Sequence, residues 1–240
     1  MADADFNGLS IHRVTATEFD CVKKFLLTDF LYNEPLNRSI NLKAEDSDEL
    51  FNDLVNVGIA SSLSYILRGP DGEIVALRLT SILDRPKEEH HNEDNELSTR
   101  NKSVASDNSS RTATKVRRYC PRAQIIVDIL QELENKMWML INPELKRLLL
   151  WSVISVHKNY TRRGLAEKML CYKLDEAKQI GCQGCIAEAS AFKSQLLFKK
   201  IGYETIHEVK HGEWLDDRGQ QIFRCDDSTN SIQLVFKSLE

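Results

Sequence analysis

The sequence predicts an α/β protein built on a mixed sheet, and three observations lead to this prediction. Two β-rich runs flank residues 69–72, and the turn signal Gly-Pro-Asp-Gly between them predicts a hairpin. The run LLLWSVISV at 148–156 has only two hydroxyl side chains in nine positions, which is typical of a central strand covered on both faces. Strands then alternate with helices to the end of the chain, which indicates some parallel pairing.

The length and composition are those of an ordinary globular chain. The 240 residues can bury a sizeable core, and we expect a single domain over 1–240. The net charge of −4 lacks the basic surplus of a nucleic-acid-binding protein, and no apolar run is long enough for a membrane helix. The acidic N-terminus has no apolar core and does not resemble a secretory signal. We therefore expect a cytoplasmic protein without nucleic-acid or membrane partners, and we expect it to be a monomer.

The N-terminal part of the chain predicts one short strand and two helices. LSIHRV alternates as a strand does, and TATE at 15–18 has the pattern of a capping box that starts a helix. Pro35 should end this helix, so we expect a loop at 32–39. A second, weaker helix is expected at 47–57, before the hairpin.

Residues 84–115 are almost entirely polar, with Leu97 and Val104 as the only large apolar side chains. The segment is too long for an ordinary connection, so we expect a mobile insertion or a lid within the domain. His90 and His91 lie among acidic residues and could suggest a metal site. Metal ligands need a rigid frame, so a solvated charged loop is favoured and no metal is expected.

The chain from Arg122 onward returns to regular patterns. A helix is expected from Arg122 and another at 163–180, with Gly181 as its C-terminal cap. The six cysteines are expected to be free thiols, and the CxxC pair Cys182 and Cys185 is expected to have no chemistry. The remaining predicted elements are the strand CIAEAS, the helix FKSQLLFKKIG and the strands YETIHEV and SIQLVFKSL.

The segment HKNYTRRGLAEKML at 157–170 connects the central strand to a helix. The first turn of a helix carries unpaired N–H groups and the positive end of the helix dipole. Gly164 permits close backbone approach, and Arg162 and Arg163 add positive charge. The residues thus predict an anion site suited to a pyrophosphate. An ordinary helix start, with both arginines in water, is the alternative that these residues leave open.

The same segment resembles the acetyl-coenzyme A pyrophosphate loop of the GCN5-related N-acetyltransferases, [QR]-x-x-G-x-[GA]. Gly164 and Ala166 match its last two fixed positions, whereas Thr161 stands where the family has Gln or Arg. The surroundings also match, with an apolar strand before the loop and a helix after it. Downstream, SAFKSQLLFKKIGY resembles the family's closing segment, which ends in G-[FY].

Three further segments resemble the insect-type arylalkylamine N-acetyltransferases in particular. NEPLN at 33–37 is similar to their D-E-P-L-N, INPELKRLLLWSVISVHKNY follows their order, and Ser190 and Ser194 form their SxxxS pair. The resemblance implies a central, mixed but mostly antiparallel sheet of about seven strands, splayed at the cofactor site and with helices on both faces. It also implies direct transfer of acetyl from acetyl-coenzyme A to the primary amine of a small arylalkylamine within a ternary complex, without a metal.

The resemblance further implies roles for single residues. Glu34 would accept the proton of the amine, and the backbone N–H near Val156 would stabilise the oxyanion. Many family members protonate the leaving thiolate with a tyrosine, but Phe198 stands at that position, which leaves Ser190 and Ser194 as candidates. Ser190 is also expected to cap the following helix. The cofactor-binding residues would be Ser155, Val156, Arg162, Arg163, Gly164, Leu165 and Ala166.

Two alternatives remain open for the function. The acceptor could be a polyamine, favoured by an acidic cleft, or a protein amine, favoured by a long peptide groove. Thr161 and Phe198 depart from the family's pattern, and both are consistent with an acyl-coenzyme A-binding module that has lost catalysis. An arylalkylamine would need an apolar pocket, for which Leu31, Tyr32 and Leu36 are candidate walls.

Overall fold

The fold is a seven-stranded sheet with helices packed on it, as seen in a computed structural model that describes Phe6, residues 8–86 and residues 118–239. Most of the predicted polar insertion at 84–115, including His90 and His91, lies outside the described residues. The strands are β1 (Ser10–Arg13), β2 (Tyr65–Arg68), β3 (Ile74–Asp84), β4 (Arg147–Val156), β5 (Gly184–Ala189), β6 (Glu204–Lys210) and β7 (Ser231–Ser238).

The sheet order is β1-β2-β3-β4-β5-β7-β6, so the apolar strand β4 occupies the centre, as predicted. Only the β4–β5 pair is parallel, and every other neighbouring pair is antiparallel. The prediction of a mixed, mostly antiparallel sheet of about seven strands is thereby confirmed. A crossover through helices joins β4 to β5, as parallel strands require.

Helices cover both faces of this sheet, because each face carries its own apolar cluster. The described helices are α1 (Phe19–Phe25), α2 (Leu31–Asn33), α3 (Pro35–Ser39), α4 (Ala44–Ala60), α5 (Pro121–Leu140), α6 (Leu165–Cys171), α7 (Leu174–Gln179) and α8 (Phe192–Lys200). Val22, Phe51 and Ile129 from α1, α4 and α5 pack on one face. Leu170, Ala177 and Phe198 from α6, α7 and α8 pack on the other. None of the described helices is long and apolar enough to span a membrane.

The predicted capping box at 15–18 is wrong. The Thr15 hydroxyl does not cap a helix but lies 2.8 Å from the Thr17 hydroxyl, and the Glu18 carboxylate pairs with Arg68 instead. The helix therefore begins at Phe19 without a side-chain cap. A π-helical turn at Leu26–Phe30 continues it into α2.

The loop predicted at 32–39 is also partly wrong, because residues 35–39 form the short helix α3. Pro35 does end the preceding helix, but it also occupies the first turn of α3, where its missing N–H is no loss. The N-cap of α3 is Glu34, whose carboxylate accepts a hydrogen bond from the Asn37 backbone N–H. This cap fixes the position of the Glu34 side chain.

The single helix predicted at 163–180 is two helices, α6 and α7. Tyr172 is extended and Lys173 is left-handed, with φ of 51°, so the chain turns between them. The fully buried Arg78 compensates for the break, since its guanidinium donates to the carbonyls of Met169 and Tyr172. The C-terminal cap predicted at Gly181 is present, with φ of 89°.

Residues 211–230 formed no predicted element, yet they cover α3. Arg38 of α3 pairs with Asp226, and the Ser39 hydroxyl accepts a hydrogen bond of 2.7 Å from the Arg224 backbone N–H. These contacts hold the residues after Glu34 against the C-terminal part of the chain. They are long-range polar contacts, which sequence periodicity does not reveal.

Candidate active site

The candidate site is a cavity of about 420 Å³ at the point where β4 and β5 separate. The two strands pair only from Leu148 to Leu150, and beyond that point the cavity lies between them. Its walls come from the turn around Glu34, the far end of β4, the loop before α6, the end of β5 and one side of α8. We call this cavity the cleft.

A β-bulge in β4 helps to open the cleft. Val153 pairs with Leu79 and Trp151 with Thr80, so Ser152 is an extra residue on the β4 side. A bulge bends its strand and increases the local twist, which turns the end of β4 away from β5. The backbone of β4 beyond the bulge is thereby exposed to the cleft, where Ser155 and Val156 both lie.

The Val156 backbone N–H points into the cleft. The next residue, His157, donates its N–H to the Val75 carbonyl of the strand β3, on the opposite side of β4. Because successive residues of a strand direct their N–H groups to opposite edges, the Val156 N–H is directed to the β5 side. The position predicted for an oxyanion donor is therefore available as a donor.

Glu34 and Ser190 meet in the cleft, although they are 156 residues apart in the chain. The Ser190 hydroxyl donates to Glu34 Oε1 at 2.8 Å, and the Asn37 backbone N–H donates to Oε2 at 2.7 Å. Burial raises the pKa of Glu34 to about 7, and these hydrogen bonds oppose the rise because they stabilise the charged form. Near neutral pH this carboxylate can therefore accept a proton.

Ser190 is not the helix cap that the sequence suggests. Ala191 holds the N-cap position of α8, and the Phe192 N–H is satisfied by Asp227 Oδ2 at 2.9 Å. The Ser190 hydroxyl is thus free to bind Glu34. Ser194 and Phe198 lie on the α8 side of the same cleft.

The loop before α6 forms the other end of the cleft. Arg162 and Gly164 have φ of 62° and 73°, so the backbone turns twice through the left-handed region just before the helix begins at Leu165. Thr161, Arg162, Gly164, Leu165 and Ala166 line the cleft. Arg163, the remaining predicted residue of this loop, does not line the cleft, and its guanidinium lies 4.6 Å from the centre of the Tyr160 ring.

Comparison with known proteins adds structural neighbours. No protein-family model matches the chain, and no curated protein sequence matches it. Arylalkylamine N-acetyltransferase 2 from Aedes aegypti superposes with a TM-score of 0.70 at 18% identity, covering 98% of this chain and 100% of that one. A Drosophila melanogaster polyamine N-acetyltransferase superposes with 0.74 at 18% identity, covering 96% and 100%. Mosquito arylalkylamine N-acetyltransferase like 5b superposes with 0.73 at 14% identity, covering 97% and 100%.

The chain has the GCN5-related N-acetyltransferase fold. At these identities the likeness establishes the fold and not the chemistry. Within this N-acetyltransferase fold, the splayed β4–β5 pair holds the predicted residues of both the acetyl-coenzyme A loop and the Glu34 site in one cavity.

Sequence reasoning missed two acidic residues, one in the wall of the cleft and one next to it. Glu188 of β5 lines the cleft, and its side chain lies within hydrogen-bonding reach of the Glu134 carboxyl on α5. The signal was present, because period-two alternation over the predicted strand CIAEAS places Glu188 and Ser190 on the same side. Within the described ranges, no group of three or more His, Cys, Asp or Glu side chains is arranged to hold a metal ion.

Proposed function

We propose that this protein transfers the acetyl group of acetyl-coenzyme A to the primary amine of a small molecule. The observation that carries the proposal is the Glu34–Ser190 pair, whose carboxylate lies in the same cleft as the loop before α6. The proposed route is direct attack by the amine in a ternary complex. Structural neighbours named as arylalkylamine and polyamine N-acetyltransferases support the reaction class.

The residues of the cleft fit acetyl-coenzyme A by the chemistry of their donors. The edge of β4 beyond its bulge offers backbone N–H groups to the amide-rich arm, and the loop from Thr161 to Ala166 offers backbone N–H groups and the Arg162 charge to the pyrophosphate. Bound there, the cosubstrate supplies a thioester carbonyl for attack and a thiolate as leaving group. Ser155, Val156, Arg162, Gly164, Leu165 and Ala166 would hold it, whereas the Arg163 guanidinium is engaged by the Tyr160 ring and would not contact it.

Glu34 is the proposed base. An alkylammonium has a pKa near the lysine value of about 10.4, so the amine has to lose a proton before it can attack. The Glu34 carboxylate already accepts two hydrogen bonds, but a carboxylate has about four acceptor positions, so it can still receive this proton. Its pKa of about 7 matches a proton acceptor that works near neutral pH.

The two serines take different roles in this proposal. The Ser190 hydroxyl donates its proton to Glu34, so it positions the base and adjusts its pKa. Ser194, one helical turn further on, is the hydroxyl proposed to meet the leaving thiolate. The Val156 N–H would stabilise the negative charge that develops on the carbonyl oxygen.

The acceptor class is proposed on two grounds. The resemblance to insect-type enzymes favours an arylalkylamine, and Phe30, Pro35 and Val153 give the cleft apolar walls for a ring. The carboxyls of Glu134 and Glu188 favour the polyamine alternative. The test is coenzyme A release with acetyl-coenzyme A and a panel of tryptamine, dopamine, 1,4-diaminobutane and a lysine peptide. Absence of turnover with every amine would contradict the proposed function.

Replacing Arg162 by Ala should weaken acetyl-coenzyme A binding by about tenfold and leave kcat at saturation little changed. The reason is that a pyrophosphate contact contributes equally to ground state and transition state. Arg163→Ala is the matched control, because the Arg163 guanidinium is engaged by the Tyr160 ring and by the Asn159 carbonyl at 3.2 Å. Isothermal calorimetry with coenzyme A measures both. Equal affinities in wild type and Arg162→Ala would mean that this side chain does not contact the anion.

Replacing Ser190 by Ala should move the midpoint of the pH–rate profile to higher pH. The Ser190 hydroxyl stabilises the charged carboxylate and so lowers the pKa of Glu34, and its loss raises that pKa. We expect kcat/KM to fall several-fold at pH 7 and to recover towards the wild-type value near pH 9. Ser194→Ala is the control. Its pH–rate profile should have a lower plateau of kcat/KM and the same midpoint as wild type. An unchanged midpoint in Ser190→Ala would contradict the proposed role of Ser190.

A further inference from the structure

Two acidic side chains lie close together at the cleft that also holds the Glu34–Ser190 pair. Glu188 projects from β5 and lines the cleft, and Glu134 projects from α5 within hydrogen-bonding reach of it. Glu188 Oε1 is fully buried and has no hydrogen-bond partner within the described part of the chain. The residue as a whole is half-buried, so the carboxyl is enclosed but adjoins the cavity.

This arrangement is unfavourable for folding when nothing binds it. Burial raises the pKa of Glu188 well above its usual range, and the nearby Glu134 charge raises it further. Burial also raises the pKa of Glu134. The other side chains of β5 on this face include Ile186, which packs in the apolar core, so an apolar residue at 188 would fit the surroundings better. The two carboxyls can hydrogen-bond to each other when Glu188 is protonated, but Glu188 Oε1 still lacks a donor. A buried acceptor without a donor calls for a ligand that brings one.

We propose that Glu188 and Glu134 form a subsite for a second cationic group of the acceptor, so that the substrate is a short diamine. The proposal rests on the acetyl transfer proposed above, with Glu34 as the base. One amino group of the diamine reaches Glu34, and the other, still protonated, donates hydrogen bonds to the Glu188 carboxyl.

The spacing of the two carboxyl sites fits such a molecule. Glu188 lies near the end of β5 and Ser190 directly follows the strand, and two residues of extended chain rise about 7 Å. Since Ser190 binds Glu34 directly, the base lies at one end of this span and the acidic pair at the other. A short methylene chain covers the distance, and an ammonium brings three donors to acceptors that lack them.

An uncharged group at the same position would be selected against. The ring of an arylalkylamine would supply neither a hydrogen bond nor a charge, so the buried Glu188 acceptor would stay unpaired. The cleft should therefore discriminate between two acceptors of equal length by the presence of the second charge. This discrimination is the property to measure.

The test compares kcat/KM for 1,4-diaminobutane and butylamine by coenzyme A release. We expect the wild-type protein to prefer the diamine by at least about tenfold, as one hydrogen bond to a charged group provides. Glu188→Gln and, independently, Glu134→Gln should reduce this ratio towards one, chiefly through KM for the diamine. Glu204→Gln on β6, an exposed site, is the matched control and should keep the wild-type ratio.

The outcomes separate the subsite from the reaction. Equal kcat/KM for the two amines in wild type, or an unchanged ratio in Glu188→Gln with both amines turned over, would overturn the subsite. If neither amine is turned over, the proposed function fails. The subsite is then tested separately by calorimetry with 1,4-diaminobutane. Tighter diamine binding to wild type than to Glu188→Gln supports the subsite, and equal binding overturns it. Thermal melting of each variant checks that it is folded.

Discussion

Replacing Glu34 by Gln is expected to lower kcat/KM for amine acetylation by about a thousandfold, the middle of the range for loss of a general base. The amide cannot take the proton of the attacking amine, so the reaction depends on the small fraction of neutral amine in solution. The measurement is coenzyme A release at saturating acetyl-coenzyme A. A Glu34→Gln variant with wild-type turnover at every pH would show that another group accepts the proton.

The pH dependence of the wild-type rate identifies the same base independently. The base works only when deprotonated, so kcat/KM should rise with pH through about 7, where the Glu34 carboxyl ionises. Glu34→Gln should lose this inflection and keep only the rise caused by ionisation of the amine itself. An inflection near pH 7 that persists in the variant would have to belong to another group.

The stability of Glu34→Gln provides a control for this variant. The sign of its change with pH follows from the raised pKa of Glu34. The pKa of Glu34 is about 7 in the folded chain against 4.5 for the unperturbed group, so the folded state binds protons more tightly. Wild type therefore loses stability as the pH rises from 4.5 through 7, by about 3 kcal/mol in total, and a neutral Gln does not. The Gln side-chain oxygen can still accept the Asn37 N–H and preserve the cap of α3. Urea unfolding at pH 5 and pH 8 should show Glu34→Gln gaining stability over wild type at the higher pH.

Periodic patterns predicted the sheet well because each strand buries a regular face. The apolar run of β4 indicated a central strand, and the order of strands and helices indicated mixed pairing. Those patterns could not predict the contact between Glu34 and Ser190, because that contact depends on how distant segments pack. The resemblance to a known family supplied this pair, and the hydrogen bond between the two side chains is what the structure adds.

Several of the failures share a physical cause, which is a long-range polar contact. Residues 15–18 match the sequence pattern of a capping box, but the Glu18 carboxylate forms a salt bridge with Arg68 of β2 instead of capping the helix. Residues 211–230 show no periodic pattern of apolar side chains, yet Asp226 and Arg224 bind them to α3 through a salt bridge and a hydrogen bond. Local propensity is a weak predictor where such tertiary contacts decide the outcome.

Arg78 is the strongest case, and its replacement by Met should cost about 3–5 kcal/mol of unfolding free energy, roughly 1–3 kcal/mol for each acceptor that loses its donor. Its guanidinium is fully buried on β3 and donates to three carbonyls, those of Leu63, Met169 and Tyr172. Burial lowers its pKa to about 10, so it remains charged at neutral pH. Met fills the space but leaves the carbonyls of Leu63 and Tyr172 without this donor, while the Met169 carbonyl keeps only the Tyr172 N–H at 3.4 Å. These lost hydrogen bonds in a largely buried setting account for the loss.

Arg85 offers a matched comparison because it makes similar contacts near the surface. It too donates to three carbonyls, those of Trp138, Asn142 and Leu145, and stacks over the Trp138 ring, but it is only half-buried. Water can replace its hydrogen bonds, so Arg85→Met should cost clearly less in the same urea titration. Equal losses in the two variants would show that the burial of the donors is not the cause.

The Arg78 variant also tests how the cleft is held in place. Two of the three carbonyls bound by Arg78 belong to the end of α6 and the break after it, and α6 begins at the proposed pyrophosphate loop. Arg78→Met should therefore weaken coenzyme A binding as well as folding, whereas Arg85→Met should affect folding alone. Calorimetry at a temperature where both variants remain folded separates the two effects. Unchanged coenzyme A affinity in Arg78→Met would mean that the loop keeps its geometry without the anchor, and that α6 is positioned by its apolar contacts with β3 and β4.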